Sequence, residues 1–136
     1  MQYWNLSPDG HLRIRRGIEF SDSVRRAFFE ISDRILTAEL EEGNREVPDG
    51  LFGYMRNMKS VTLPSGLSRI GKSAFYDCGS LEEIQLPENV TVIDEWAFQD
   101  CSSLKEIRIP ATVRTIGRMA FSTGEAAVSA DKSLTA

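Results

Sequence analysis

Hydrophobic positions in the second half of the chain recur at one long, fixed interval. Ala74-Phe75, Ala97-Phe98 and Ala120-Phe121 stand 23 residues apart. The same interval joins Cys78 to Cys101, Leu81 to Leu104 and Ile84 to Ile107, and it runs through Leu63, Leu86 and Ile109. Pro64, Pro87 and Pro110 follow in step, then Leu67, Val90 and Val113, then Val47, Ile70, Ile93 and Ile116. Within one interval, residues 81–86 alternate, with Ile84 and Leu86 on one side and Glu83 and Gln85 on the other. That alternation predicts a short strand, apolar side inward. Its copies at 58–63 and 104–109 should pair with it in parallel. The prolines end each strand, because proline has no N–H to donate to a ladder. Residues 90–93 predict a second short strand or extended turn. Residues 94–101 predict a single helical or 3-10 turn on the far side, where Ala97 permits close approach and Phe98 fills the core.

A fixed period between about 20 and 29 residues marks a leucine-rich solenoid, in which one coil cannot bury its apolar side alone and stacked coils build a continuous core. The columns resemble the BspA-type (Treponema pallidum-like) leucine-rich repeat family, whose pattern runs C-x-x-L-x-x-I-x-L-P-x-x-V-x-x-I-x-x-x-A-F. Residues 70–121 follow it closely. Residues 47–69 follow it with Leu51-Phe52 for Ala-Phe, Met55 for Cys and Met58 for Leu. The resemblance implies an α/β-type leucine-rich repeat solenoid that is strand-rich, with a short parallel sheet of about four strands and a turn or 3-10 far side.

The first 46 residues carry the pattern weakly. Ile35, Ala38 and Leu40 fall on the strand ladder, with Asn44 in an aliphatic column, so this is a degenerate first coil. Val24, Phe28, Ile31 and Ile35 recur at helical spacing after Ser21 or Ser23, either of which suits an N-cap. Both signals hold if a short helix over 24–30 leads into a strand from Leu36. Upstream, residues 3–6 and 11–14 flank Ser7-Pro8-Asp9-Gly10, a turn signal, and predict a β-hairpin. This hairpin resembles the W-x-L-x-x-x-G-x-L-x-I cap found ahead of the repeats in the same family. A cap covers the open edge of the first coil. After Phe121, Ser122-Thr123-Gly124 interrupts the columns and no recognisable C-terminal cap follows. The expected organisation is one repeat domain over 1–121, with a hairpin-and-helix cap over 1–34 and repeats over 35–121. Residues 122–136 are expected to form a polar tail, flexible or loosely docked.

Composition adds limits. A formal charge of -4 and a pI near 5.1 argue against nucleic acid or an anionic membrane as the partner. No apolar run approaches the roughly 20 residues that span a bilayer, which argues against membrane insertion. The opening residues lack the basic and apolar regions of a secretory signal, so the chain reads as intracellular or as lacking its leader. The two cysteines are too few for a disulfide framework.

Nothing in the sequence assembles catalytic chemistry or a cofactor site. His11, the single histidine, sits beside a turn with no second ligand or activated nucleophile, and reads as a surface turn residue. Cys78 and Cys101 share a column and read as buried packing thiols, although stacking could bring them within disulfide range. The acids Asp77, Asp94, Glu95 and Asp100 read as a solvated far side. Trp96 and Tyr76 interrupt otherwise mixed columns, as exposed anchors or as packing against the neighbouring turn.

What remains is the outward side of the strands. Thr37, Ser60, Glu83 and Glu106 form one column there, and Glu39, Thr62, Gln85 and Arg108 the next, flanked by Lys59, Glu82 and Lys105. By resemblance to a family of bacterial surface and host-contact proteins, this side is expected to be the binding face of a non-catalytic module, with Lys59, Ser60, Thr62, Glu82, Glu83, Gln85, Lys105, Glu106 and Arg108 as its candidate residues. The expected partner is a protein, with a glycan as the variant of that reading. The alternative is a structural spacer, self-associating weakly through its open C-terminal coil.

Overall fold

The computed structural model describes residues 3–121 and the backbone alone of residues 127–130. In chain order its elements are strands β1 (Trp4–Leu6) and β2 (His11–Ile14), helix α1 (Asp22–Ile31), and a 3-10 turn at Ser32–Arg34. Then come β3 (Thr37–Leu40), β4 (Glu46–Val47), β5 (Ser60–Thr62), β6 (Arg69–Ile70) and β7 (Val92–Ile93). β8 (Glu106–Ile109), β9 (Thr115–Ile116) and β10 (Ala127–Ala130) complete the order.

The expected cap forms. β1 and β2 pair antiparallel with Trp4 opposite Ile14, and the Gly10 N–H donates to the Ser7 carbonyl at 3.1 Å to close the turn. Ser21 caps α1, its hydroxyl accepting from the Val24 N–H at 3.4 Å. One face of α1 carries Phe28 into the core, where the edge of Trp4 meets it at 5.1 Å between ring centres. β2 then pairs in parallel with β3, and β3 with β5, so the hairpin is the first rung of the repeat sheet.

Each coil closes through a second short strand. β4, β6, β7 and β9 form a parallel sheet whose register, Glu46 to Arg69 to Val92 to Thr115, reproduces the sequence interval. The far side is a run of turns rather than helix. Leu51, Ala74, Ala97 and Ala120 each donate to the carbonyl three residues earlier, on Pro48, Gly71, Asp94 and Gly117. The turns also bond from coil to coil. Phe52, Phe75 and Phe98 donate their N–H groups to the carbonyls of Ala74, Ala97 and Ala120 at 2.8–2.9 Å. Gly50, Ser73 and Trp96 donate likewise to Lys72, Glu95 and Arg118. This geometry needs left-handed backbone at Gly50, Ser73, Trp96 and Met119, with φ of 74°, 55°, 57° and 55°.

The core is a set of identical ladders. Phe52, Phe75, Phe98 and Phe121 stack ring on ring at 5.0–5.4 Å, close to the ~4.8 Å rise from strand to strand. Cys78 and Cys101 are buried and free, and each thiol donates to the carbonyl of the preceding coil's phenylalanine, Phe52 or Phe75, at 3.0 Å. They are packing thiols. No polar or charged side chain among the described residues is buried.

One expectation needs revision. Residues 81–86 were expected to pair as a strand. Leu81, Ile84 and Leu86 do turn inward, but the segment forms no strand, and its backbone bond to the preceding coil, from the Glu82 N–H to the Lys59 carbonyl, is a long 3.4 Å contact. Strand register would set Glu83 directly beside Glu106, and like charges opposite one another are destabilising. Two successive glutamates also have low strand propensity. Within the stretch expected as a polar tail, flexible or loosely docked, β10 runs parallel to β8, with Val128 opposite Ile107. The rest of that stretch, 122–126 and 131–136, lies outside the described residues.

A candidate binding face on the strand side

Strand alternation places the candidate residues. Ser60 and Thr62 point outward from β5 on either side of Val61, and Glu106 and Arg108 point outward from β8 between the buried Ile107 and Ile109. Glu82, Glu83 and Gln85 are exposed between them although their segment is not a strand, because Leu81, Ile84 and Leu86 hold it down. Lys59 and Lys105 stand exposed just ahead of β5 and β8. All nine candidates are therefore exposed, and Ser60, Thr62, Glu106 and Arg108 share the outward side of the strands.

Where the strand fails to pair, a crevice of about 770 Å³ opens between β5 and residues 83–89. It brings together four of the nine candidates, Ser60, Thr62, Glu83 and Gln85, and adds Glu42, Ser65, Glu88 and Asn89. Lys59, Glu82, Lys105, Glu106 and Arg108 do not line it. Glu42 is held by Ser65, whose hydroxyl donates at 2.7 Å and whose N–H donates at 3.0 Å. These bonds, the hydroxyl first, lower the Glu42 carboxyl below the usual glutamate range. Arg108 reaches the Glu88 carboxylate at 2.8 Å.

Sequence reading missed the extension of this face onto the cap. His11 is not a mere turn residue. Its Nδ1 lies 2.7 Å from the Thr37 hydroxyl and its Nε2 lies 3.3 Å from the Glu39 carboxylate. Beside it, Arg13 bridges Glu39 and Glu41 at 3.4 and 3.2 Å. The outward columns thus begin at His11 and Arg13. Their distance from Thr37 and Glu39 is 26 residues, which the repeat interval does not reach.

The arrangement offers hydrogen-bond donors, acceptors and both charges on an exposed surface. Among the described residues no group of three or more His, Cys, Asp or Glu side chains is placed to hold a metal ion. No helix there is long and apolar enough to cross a membrane.

Comparison with known proteins agrees with this architecture. The model of the BspA type leucine-rich repeat region matches residues 22–128 in 6 copies. A leucine-rich repeat protein from Bacteroides ovatus is 32% identical over 65% of this chain and 23% of its own, with a TM-score of 0.62. One from Eubacterium ventriosum is 25% identical over 83% of this chain and 37% of its own, at 0.69. The Treponema pallidum leucine-rich repeat protein shares the fold at 0.63 and 24% identity, over 93% of this chain and 60% of its own. The chain therefore spans less than two thirds of each of these relatives. No curated protein matches it at a significant level.

Proposed function

Because the chain belongs to the BspA-type leucine-rich repeat family, we propose that it is a non-catalytic binding module that holds its partner, a protein, on the strand side. The observation that carries this reading is the crevice with its exposed polar rows, where Ser60, Thr62, Glu83 and Gln85 converge on one opening. Stacked coils present extended surfaces suited to such recognition. A rim of exposed charges sets specificity and encounter rate more than affinity, so the central polar groups should dominate the complex lifetime.

The test is a panel of immobilised proteins and glycans probed with the full chain and with a Glu83→Lys, Gln85→Glu, Arg108→Glu variant. Loss of about tenfold or more in affinity for a bound protein, at unchanged thermal unfolding, supports the reading. Undiminished binding by the variant removes the strand side as the site. Binding confined to glycans overturns the choice of partner.

A further inference from the structure

The line of bonded turns stops abruptly at its N-terminal end, and the cause is α1. Phe28-Phe29 fall 23 residues before Leu51-Phe52, so the helix stands where a preceding turn would be. Its amides are committed to helical bonds and cannot donate sideways. In the next coil, the carbonyls of Lys72, Ala74 and Tyr76 each accept an N–H from the coil before. Their equivalents, on Asp49, Leu51 and Gly53, accept no hydrogen bond among the described residues. Leu51 is buried, whereas Asp49 is exposed and Gly53 half-buried, so the last two are within reach of a ligand.

Leu51 and Gly53, though not Asp49, line a groove of about 540 Å³ between α1 and the first turns, a size that suits a ligand side chain or two. Its apolar walls come from Phe20, Phe28, Phe29, Tyr54 and Tyr76. Phe29 is 64% exposed and Tyr54 44% exposed, edge to face at 6.1 Å. Exposed aromatics grouped at a groove mark interaction sites more often than isolated ones do. The charge is just as uneven. Arg25 and Arg26 line the groove against one acid, Asp22, in a chain whose net charge is -4. Among the described residues neither arginine has an ion-pair partner, and Arg25 lies over the Phe20 ring at 4.5 Å. The acids stand at the opposite end, by Tyr76: Asp77 is held by Arg56 at 2.8 Å, and Asp100 acts first on the Tyr76 hydroxyl, raising its pKa.

We propose that this groove is a second docking site, separate from the strand side, for a short peptide segment that sets an aromatic or large aliphatic side chain between carboxylates. The apolar side chain packs on the exposed faces of the Phe29–Tyr54 pair. The carboxylates meet Arg25 and Arg26. A peptide N–H answers the Gly53 carbonyl, and one chain supplies that donor together with the apolar side chain and the carboxylates. A neutral sugar supplies hydroxyl donors but leaves both arginines unpaired.

The experiment is a selection from a phage-displayed library of random 12-residue peptides on the full chain. Fluorescence anisotropy of the enriched peptides then measures binding to three proteins: the native chain, an Arg25→Glu, Arg26→Glu variant, and the strand-side variant described above. The arginines are exposed, so the charge reversal leaves the fold intact, which thermal unfolding checks. Expected are sequences that combine Asp or Glu with Phe, Trp or Leu, that lose about tenfold or more affinity for the Arg25/Arg26 variant, and that keep it for the strand-side variant. Rising salt should weaken them, since the charges are exposed. Enrichment of nothing above background overturns the proposal, as does enrichment of sequences without acids or equal affinity for the Arg25/Arg26 variant. Sensitivity to the strand-side variant alone also overturns it and moves the peptide to the other site.

Discussion

At the scale of single residues, the coils are set apart from one another by what each position can tolerate. Gly71 has no room for a side chain: a Cβ there would stand 2.5 Å from the Asp49 Oδ1 and 2.7 Å from the Val47 carbonyl of the preceding coil. Gly66 has nothing within 4 Å. Gly71→Ala should therefore destabilise by about 1–3 kcal/mol through overpacking. Gly66→Ala should be neutral or stabilise by up to about 1 kcal/mol through the unfolded chain. Urea midpoints of the two variants decide this, and equal shifts would show that the coil spacing adjusts freely. Sequence alone marks both glycines as turn residues and does not separate them, because the difference lies in a neighbour 22 to 24 positions away. His11 was hidden for a related reason. Its partners Thr37 and Glu39 sit one cap-length off the repeat interval.

Elements are held in register by hydrogen bonds that reach one coil back. Ser65 binds Glu42, and the Lys72 N–H binds Asp49, both across 23 residues. Asp94 accepts from the Glu95 N–H and takes Arg69 at 2.9 Å, and these lower its carboxyl below the ordinary aspartate range. Glu42 is lowered as well, by Ser65. A carboxyl depressed in the folded state binds its proton more readily in the unfolded chain. Its stabilisation is then present above the unfolded pKa and is lost as pH falls through the folded one. Denaturant midpoints should stay level from neutrality down to about pH 5 and fall through the region below about pH 4. Glu42→Gln with Asp94→Asn should flatten that fall; an unchanged profile would mean that neither carboxyl is held. Strands and closing strands were legible because every coil restates them. The unpaired segment at 81–86 was not, since its inward pattern matches its neighbours and only the Glu83–Glu106 juxtaposition tells against it. The turn line was half legible: of its left-handed column, Gly50 alone advertises positive φ, while Ser73, Trp96 and Met119 do not.

For the whole molecule, the repeated ladders make one cooperative core running from the hairpin to the last phenylalanine. Cys78 and Cys101 lie inside it, fully buried, and burial pushes the Cys78 thiol up. A thiolate-selective reagent such as a disulfide dye should leave both thiols unlabelled in the native protein. Both should appear together across the urea transition. Labelling of one thiol well before the other would show that the stack opens from one end. The family and its coil plan were readable from the columns over 70–121, whereas the groove beside α1 was not. It exists because a helix replaces a turn, and helical spacing in residues 24–35 does not say which amides are thereby withdrawn from the next coil.

That replacement has an electrical consequence. Along the turn line the inter-coil backbone bonds among the described residues have one sense, from an N–H of the earlier coil to a carbonyl of the later. The peptide dipoles there add along the stack much as they do along a helix axis. Their negative pole emerges at the first turn, where Arg25 and Arg26 stand. The bonds flanking β6, β7 and β9 run the other way, from later N–H to earlier carbonyl, as from Gly71 to Val47 and from Gly117 to Ile93. Within that parallel sheet the ladder bonds alternate in sense and its net dipole is small, so the turn line carries the polarity of the stack. Salt screens the field of an exposed pole beyond about 10 Å, so a partner would feel the sign of the first turn only once it is close.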